Sequence, residues 1–237
     1  MMDEYCTMTT VTTHTLGTLT IGQAPRPDIT PILSQHLPSH VATVHAGLLD
    51  GLDRAQIHAL YAAEPGQATL ITRLLDGSAV IVSKPKVLEL MNRKIAALKA
   101  QGCDFVLLLC TGAFEGLDNS GAWLIEPDLI VSPSVAALAG GRQVGIIVPL
   151  ASQVDSEAHK WRTLARAPMC GVASPYEAGM HAVASAALQL KTQGARLLVM
   201  DCMGFVEAHR TAAAEASGLP VVLSNALIAR LTAELLG

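Results

Sequence analysis

Aromatic side chains are scarce in this chain: two Trp, three Tyr and three Phe among 237 residues. With a formal charge of −4, that leaves neither the basic surface nor the stacking platform of a nucleic-acid binder. No apolar run approaches the ~18 residues of a membrane span. The opening Met1-Met2-Asp3-Glu4-Tyr5 lacks the basic-then-apolar layout of a secretory leader. Charged residues are only 15% of the chain and hydrophobic ones 51%, a composition with enough apolar surface for a large core. Five cysteines at wide spacings, with no Cys-x-x-Cys, exclude a paired disulfide framework and argue against structural zinc. A cytoplasmic protein acting on a small molecule, without nucleic acid, membrane, metal or cofactor, is the expectation. The oligomeric state stays open, a homo-oligomer included.

What is present is a repeat. Gly102-Cys103-Asp104-Phe105-Val106-Leu107-Leu108-Leu109-Cys110-Thr111-Gly112 returns as Gly194-Ala195-Arg196-Leu197-Leu198-Val199-Met200-Asp201-Cys202-Met203-Gly204. The steps 102 to 194, 110 to 202 and 112 to 204 are all 92, and Ser132 and Ser224 share that step. In each copy a glycine precedes an apolar strand and a cysteine closes it.

Around the repeat, apolar runs of strand length alternate with helical spacing. Strands are expected at Leu16 to Ile21, Val41 to Ala46, Leu129 to Val131, Gln143 to Pro149, Met169 to Ala173 and Pro220 to Leu223, besides the two cysteine strands. A hairpin around Asp76-Gly77 is expected to join residues 68–75 and 78–83. Helices are expected from Asp28 to His36, within 47–69, from Pro85 to Ala100, Ser134 to Leu138, Ala151 to Ala165, Pro175 to Thr192, Phe205 to Ser217 and Ala226 to Leu236. Alternation of this kind specifies an α/β fold around mainly parallel sheets. We read a disordered tail over 1–15, two pseudosymmetric flavodoxin-like lobes at 16–141 and 142–225 with the active site in the cleft between them, and a closing helix at 226–237 returning to the first lobe.

Ligands of open parallel sheets bind at the carboxyl ends of the strands, where Cys110 and Cys202 fall. A lone cysteine in an apolar strand is ordinarily a small buried hydrophobe, the reading given to Cys103 and Cys170. Two at equivalent strand ends are instead a candidate acid–base pair: one thiolate removes a proton from a carbon next to a carboxylate or carbonyl, and the opposite thiol returns one. Around them, Arg26 is a candidate for a substrate carboxylate, with an ion pair to Asp28 as the alternative. Gln23, Thr111, Gly112, Met203 and Gly204 are candidates for holding the substrate head. Ser83, Ser132, Ser224 and Asn225 are placed at strand ends, where helix capping is the alternative. Asp201 is expected on the opposite strand face from Cys202. His209 is read as solvated, and Lys84 and Lys86 as a surface pair at a helix start.

Thr20-Ile21-Gly22-Gln23-Ala24-Pro25-Arg26-Pro27-Asp28, Leu109-Cys110-Thr111-Gly112, Asp201-Cys202-Met203-Gly204-Phe205 and the segments 144–149 and 223–231 resemble the AroM family. That family is similar in layout to the aspartate/glutamate/hydantoin racemases, whose two cysteines map to Cys110 and Cys202. The resemblance implies a cofactor-independent racemase, epimerase or isomerase acting on a small carboxylate or cyclic amide. Two alternatives stand beside it: a single-cysteine decarboxylase or cis–trans isomerase, and a non-catalytic small-molecule binder. Neither cysteine lies in the Cys-Asn-Thr or Cys-Thr-His context typical of the amino-acid racemases.

Overall fold

The computed structural model describes residues 14–237, apart from the side chains of 156–158. Strand β1 (Thr15–Thr20) leads through a proline-rich loop to α1 (Thr30–His36), then β2 (Ala42–Gly47) and α2 (Arg54–Tyr61). The hairpin β3 (Thr69–Arg73) and β4 (Ala79–Ser83) precedes α3 (Lys84–Ala100), β5 (Phe105–Leu109), β6 (Trp123–Ile125) and α4 (Pro127–Ala139). The second half runs β7 (Val144–Val148), a short 3-10 turn, α5 (Val154–Lys160), β8 (Met169–Val172), α6 (His181–Gln193), β9 (Leu197–Met200), α7 (Glu207–Ser217), β10 (Val221–Leu223) and α8 (Ser224–Leu236).

Two four-stranded parallel sheets result, ordered β2-β1-β5-β6 and β8-β7-β9-β10. Their matching order makes the lobes flavodoxin-like and pseudosymmetric, with β5 and β9 in equivalent places. Both strands are buried along their whole length, the signature of a parallel sheet covered on two faces. The repeat holds at the backbone: Gly102 and Gly194 both adopt positive φ, +89° and +110°, where only glycine turns without strain.

Strand alternation sorts the core into layers. Leu107 and Leu109 of β5 and Leu197 and Val199 of β9 face a shared layer between the lobes, which also holds Ile29, Val131, Trp161, Ile228 and Leu236. Val106 and Leu108 face outward onto Val87, Met91 and Ile95 of α3. Leu198 and Met200 likewise face Val183 and Leu190 of α6. Helix α8, tied to the end of its own sheet by the Ser224 hydroxyl donating to the Met200 carbonyl oxygen, packs on α1 and α4 of the first lobe.

Three sequence expectations are corrected. Leu129 to Val131 is helix, not strand: Pro127 opens α4, and Val131, Val135 and Ala139 are buried at a helical interval. The strand beside β5 is β6, paired from Phe105↔Trp123. Ser132 therefore lies inside α4, whereas Ser224 is the first residue of α8, so their common step of 92 is numerical coincidence. Thr15, assigned to a tail, opens β1; the rest of that segment up to residue 13 lies outside the described residues.

Because the inter-lobe layer draws on both sheets, the lobes are expected to unfold as one unit. Ile228→Ala, which empties a fully buried site there, should cost about 2–5 kcal/mol. Urea unfolding followed by circular dichroism and Trp161 fluorescence should shift as a single transition; two separate transitions would contradict a shared core.

Candidate active site

Cys110 and Cys202 sit just beyond the ends of β5 and β9, each followed by a turn that points a glycine amide back at the sulfur. Gly112 N–H donates to Cys110 Sγ at 3.4 Å, and Gly204 N–H donates to Cys202 Sγ at 3.4 Å. Both cysteines line one small cavity of about 40 Å³, walled also by Arg26, Thr72, Thr111, Tyr176 and Met203. A water molecule occupies roughly 30 Å³ of liquid, so this space has room for only a few atoms. The hairpin β3–β4 roofs it through Leu70, Ile71 and Thr72. Gly22 makes that roof fit, since a Cβ there would lie 2.1 Å from the Arg73 carbonyl oxygen.

A wider cleft of about 500 Å³ adjoins the cavity and shares Leu70, Thr111, Gly112, Gln153 and Asp201 with it. Its remaining wall includes Lys84, Pro85, Leu88, Phe114 and Lys160.

Two buried ion pairs flank the thiols. Arg26, 3% exposed, donates Nε and Nη2 to the two Asp28 carboxylate oxygens at 2.8 and 2.6 Å. Nη1 donates to Thr20 Oγ1 and Nη2 also to the Tyr176 hydroxyl, each at 3.1 Å. Burial alone would weaken that guanidinium's charge, but the hydrogen bonds and charges of Asp28 and Tyr176 together more than offset it, and Arg26 stays protonated. On the other side Lys160 is paired with Asp201 and donates to the Thr111 carbonyl oxygen at 2.6 Å. Thr111 Oγ1 in turn donates to the Asp201 carbonyl oxygen at 3.3 Å. These contacts bridge the lobes at the level of the sulfurs.

The electrostatics follow. Burial pushes the Cys110 thiol from its ordinary 9.0 up to about 11. The Gly112 amide and the charges of Lys160 and Lys84 pull it down, while Cys202 adds to the rise. Burial also raises Cys202, countered by the Gly204 amide, Arg26 and a hydrogen bond from Tyr176. Tyr176 is itself raised well above the ordinary tyrosine range by burial, so it remains a phenol with a proton to donate. Each thiol thus has one amide and at least one cation to balance a negative charge, Lys160 and Lys84 for Cys110 and Arg26 for Cys202. Because one sulfur's charge disfavours the other's, the doubly ionised pair is the most strongly opposed state, and at neutral pH the raised thiols are both protonated.

The other residues expected at the site divide sharply. Thr111, Gly112, Met203 and Arg26 do line the cavity. The Gly112 and Gly204 amides, however, serve the sulfurs and form no cradle for a substrate anion. Gly204 allows the close approach of Tyr176, whose hydroxyl oxygen would lie 2.5 Å from an added Cβ. Gln23 is not at the cleft: its amide nitrogen donates to the Leu49 and Leu52 carbonyls, and its oxygen accepts from Leu75 N–H. Ser83 caps α3 and donates to Gln67. Ser132 donates to the Lys160 carbonyl oxygen from the back of α5. Ser224 donates to the Met200 carbonyl oxygen, and Asn225 to the carbonyls of Met203 and Phe205, so both brace the Cys202 turn from behind. None of these five lines either space.

His209 is buried rather than solvated; its ring nitrogen accepts from Val206 N–H, and burial lowers its pKa. Cys103 packs under Gly17, and Cys170 lies on β8. Cys6 is outside the described residues. Tyr176 and Lys160 were missed, although Tyr176 carried a signal: a rare tyrosine just past β8, at the carboxyl edge of its sheet. Asp201, just past the end of β9, meets Lys160 and lines the same cavity as Cys202. Among the described residues, no group of three His, Cys, Asp or Glu is arranged to hold a metal, and no helix is long and apolar enough to cross a membrane.

A family model described as AroM protein matches residues 16–236. The chain belongs to the AroM family. No curated protein matches this AroM chain. Similar solved structures include allantoin racemase from Pseudomonas fluorescens, with a TM-score of 0.60 and 16% identity over 94% of this chain and 90% of that one. An unliganded arylmalonate decarboxylase has a TM-score of 0.59 and 14% identity, covering 94% of this chain and 92% of that one. Glutamate racemase from Aquifex pyrophilus has a TM-score of 0.57 and 14% identity, covering 93% and 83%. At such identities the likeness is one of fold, and it places the AroM chain among proteins shaped like the Asp/Glu/hydantoin racemases.

The raised thiols make a sign prediction. Thiolate, not thiol, is the nucleophile, so iodoacetamide labelling of Cys110 should be slow at pH 7. It should then rise by about tenfold per pH unit and level off near pH 11. Labelling followed by peptide mass spectrometry checks this; rapid, pH-independent labelling below pH 8 would contradict it.

Proposed function

We propose that this chain is a cofactor-independent racemase, epimerase or related isomerase that uses Cys110 and Cys202 as two bases on opposite faces of one carbon. The observation that carries the reading is the equivalent placement of both sulfurs, one from each lobe, on a single enclosed cavity. In the reactive state, a minor one at neutral pH because both thiols are raised, one sulfur is a thiolate and the other a thiol. The thiolate removes the proton from a carbon next to a carboxylate or carbonyl, leaving an enolate-like anion. The opposite thiol then gives its proton to the other face and becomes the thiolate, so the reverse reaction starts from an equivalent state.

A base whose pKa is raised by burial is a stronger proton acceptor once ionised, which suits a weakly acidic carbon. The glycine amides and the cations Arg26 and Lys160 compensate whichever sulfur carries the charge, and burial of the small cavity strengthens those interactions. Substrate is a small carboxylate or cyclic amide, and catalysis is expected to improve with pH up to the point where both sulfurs ionise.

Incubation in D2O with amino acids, hydantoins and 2-substituted malonates tests the proposal. Racemisation with deuterium entering at the reacting carbon is expected, and Cys110→Ser or Cys202→Ser should each lower it by about 10²–10⁴-fold. Release of CO2 or alkene isomerisation that survives loss of one cysteine would point instead to single-cysteine chemistry. Binding without turnover, indifferent to both substitutions, would overturn any catalytic role for the pair.

A further inference from the structure

The cations expected to take a substrate carboxylate are already occupied. Arg26 gives all three of its nitrogens to Asp28, Thr20 and Tyr176. Lys160 is paired with Asp201 and bonded to Thr111, and Lys86 with Glu64 and the Ala62 carbonyl. Lys84 is different. It lines the wide cleft, and among the described residues no carboxylate lies within ion-pair distance of it. Its ammonium stands 5.4 Å from the ring centroid of Phe114. Glu115, exposed, and His159, bonded to Arg162, also border this space, but neither pairs with Lys84.

The wall around that unspent charge is largely apolar: Leu70, Pro85, Leu88, Ala113 and Phe114. A cavity of about 150 Å³ with apolar walls suffices to hold benzene, and this cleft measures about 500 Å³. A site built for an amino acid as small as aspartate needs neither that volume nor that surface. Apolar walls with few convergent polar groups are what small-molecule pockets of this size display.

We propose that the cleft receives a carboxylate bearing an apolar, ring-sized substituent, with Lys84 holding the carboxylate and Leu70, Leu88 and Phe114 taking the substituent. The assignment rests on the proton-transfer reading for the position of the reacting carbon, which the shared wall residues Thr111 and Gly112 place beside Cys110. The cleft meets the cavity of the two thiols at Thr111 and Gly112, so an anion seated on Lys84 lies in the space that opens onto Cys110. Lys84 is thus a binding and specificity residue, and its partner Phe114 contributes by stacking.

The test is a binding titration, followed by saturation-transfer NMR and calorimetry, of phenylacetate, acetate and benzyl alcohol with the full chain. Phenylacetate should bind about tenfold more tightly than either of the others, the worth of one charge-assisted hydrogen bond or one apolar contact surface. Lys84→Gln should weaken phenylacetate by about tenfold and leave benzyl alcohol unchanged, which also shows that the variant is folded. Lys84→Arg should restore most of the loss. Equal affinities for phenylacetate and acetate, or an undiminished affinity in Lys84→Gln, would overturn the proposal. The variant carrying Cys110→Ser and Cys202→Ser should bind phenylacetate like the parent. If it does while neither protein exchanges deuterium, the pocket stands and the two-base reading falls.

Discussion

Everything at the candidate site depends on one constraint: two strand ends must be held facing each other by an apolar layer that neither lobe could form alone. Leu107 and Leu109 from one sheet and Leu197 and Val199 from the other bury against the same set of helices. Each fully buried aliphatic side chain there contributes about 1.5–3 kcal/mol. That layer leaves the lobes little freedom to slide, and it fixes the cysteines at its upper edge. Polar bridges add direction: Lys160 to Thr111, Thr111 to Asp201, and Arg26 to Tyr176 each join one lobe to the other.

The same economy explains why so few residues remain for a ligand. Buried charge is tolerated only when paired and hydrogen-bonded. Arg26 and Lys160 are therefore consumed in holding Asp28 and Asp201, and they act on the thiols at a distance through their fields. The glycine amides, which a strand-end site ordinarily turns to a substrate anion, are turned here to sulfur. A small cavity holding both thiols lies beside a wider cleft that carries Lys84, for which no carboxylate partner stands among the described residues. On the proposed reading, the cavity handles the proton and the cleft selects the molecule.

Much of this was legible in the chain. The two cysteine segments announced themselves through spacing, because duplicated strands that end at equivalent points must keep the same glycine, apolar run and turn. The hairpin at Asp76-Gly77 was equally plain from its turn residues, though its role as the roof over the thiols was not. The strand expected at residues 129–131 failed because a three-residue apolar run fits either a strand or one turn of helix; Pro127 and the buried spacing of Val131, Val135 and Ala139 decide for helix. Ser83, Ser132, Ser224 and Asn225 are candidates for standing near strand ends and Gln23 for sharing the loop of Arg26, yet each donates to nearby backbone or side chains.

The sequence by itself determined the α/β alternation, the pairing of Cys110 with Cys202 and the family, since these depend on local periodicity and on residues adjacent in the chain. Only the tertiary structure decided which charges are free. Whether Arg26, Lys84 or Lys160 can meet a ligand depends on partners two, thirty and forty-one residues away, on Asp28, Phe114 and Asp201. The Arg26–Asp28 pair could be named from the chain as one alternative, its members being only two residues apart. The Lys84–Phe114 and Lys160–Asp201 pairings are set when helices and sheets dock, and a side chain's neighbours in sequence carry no record of them.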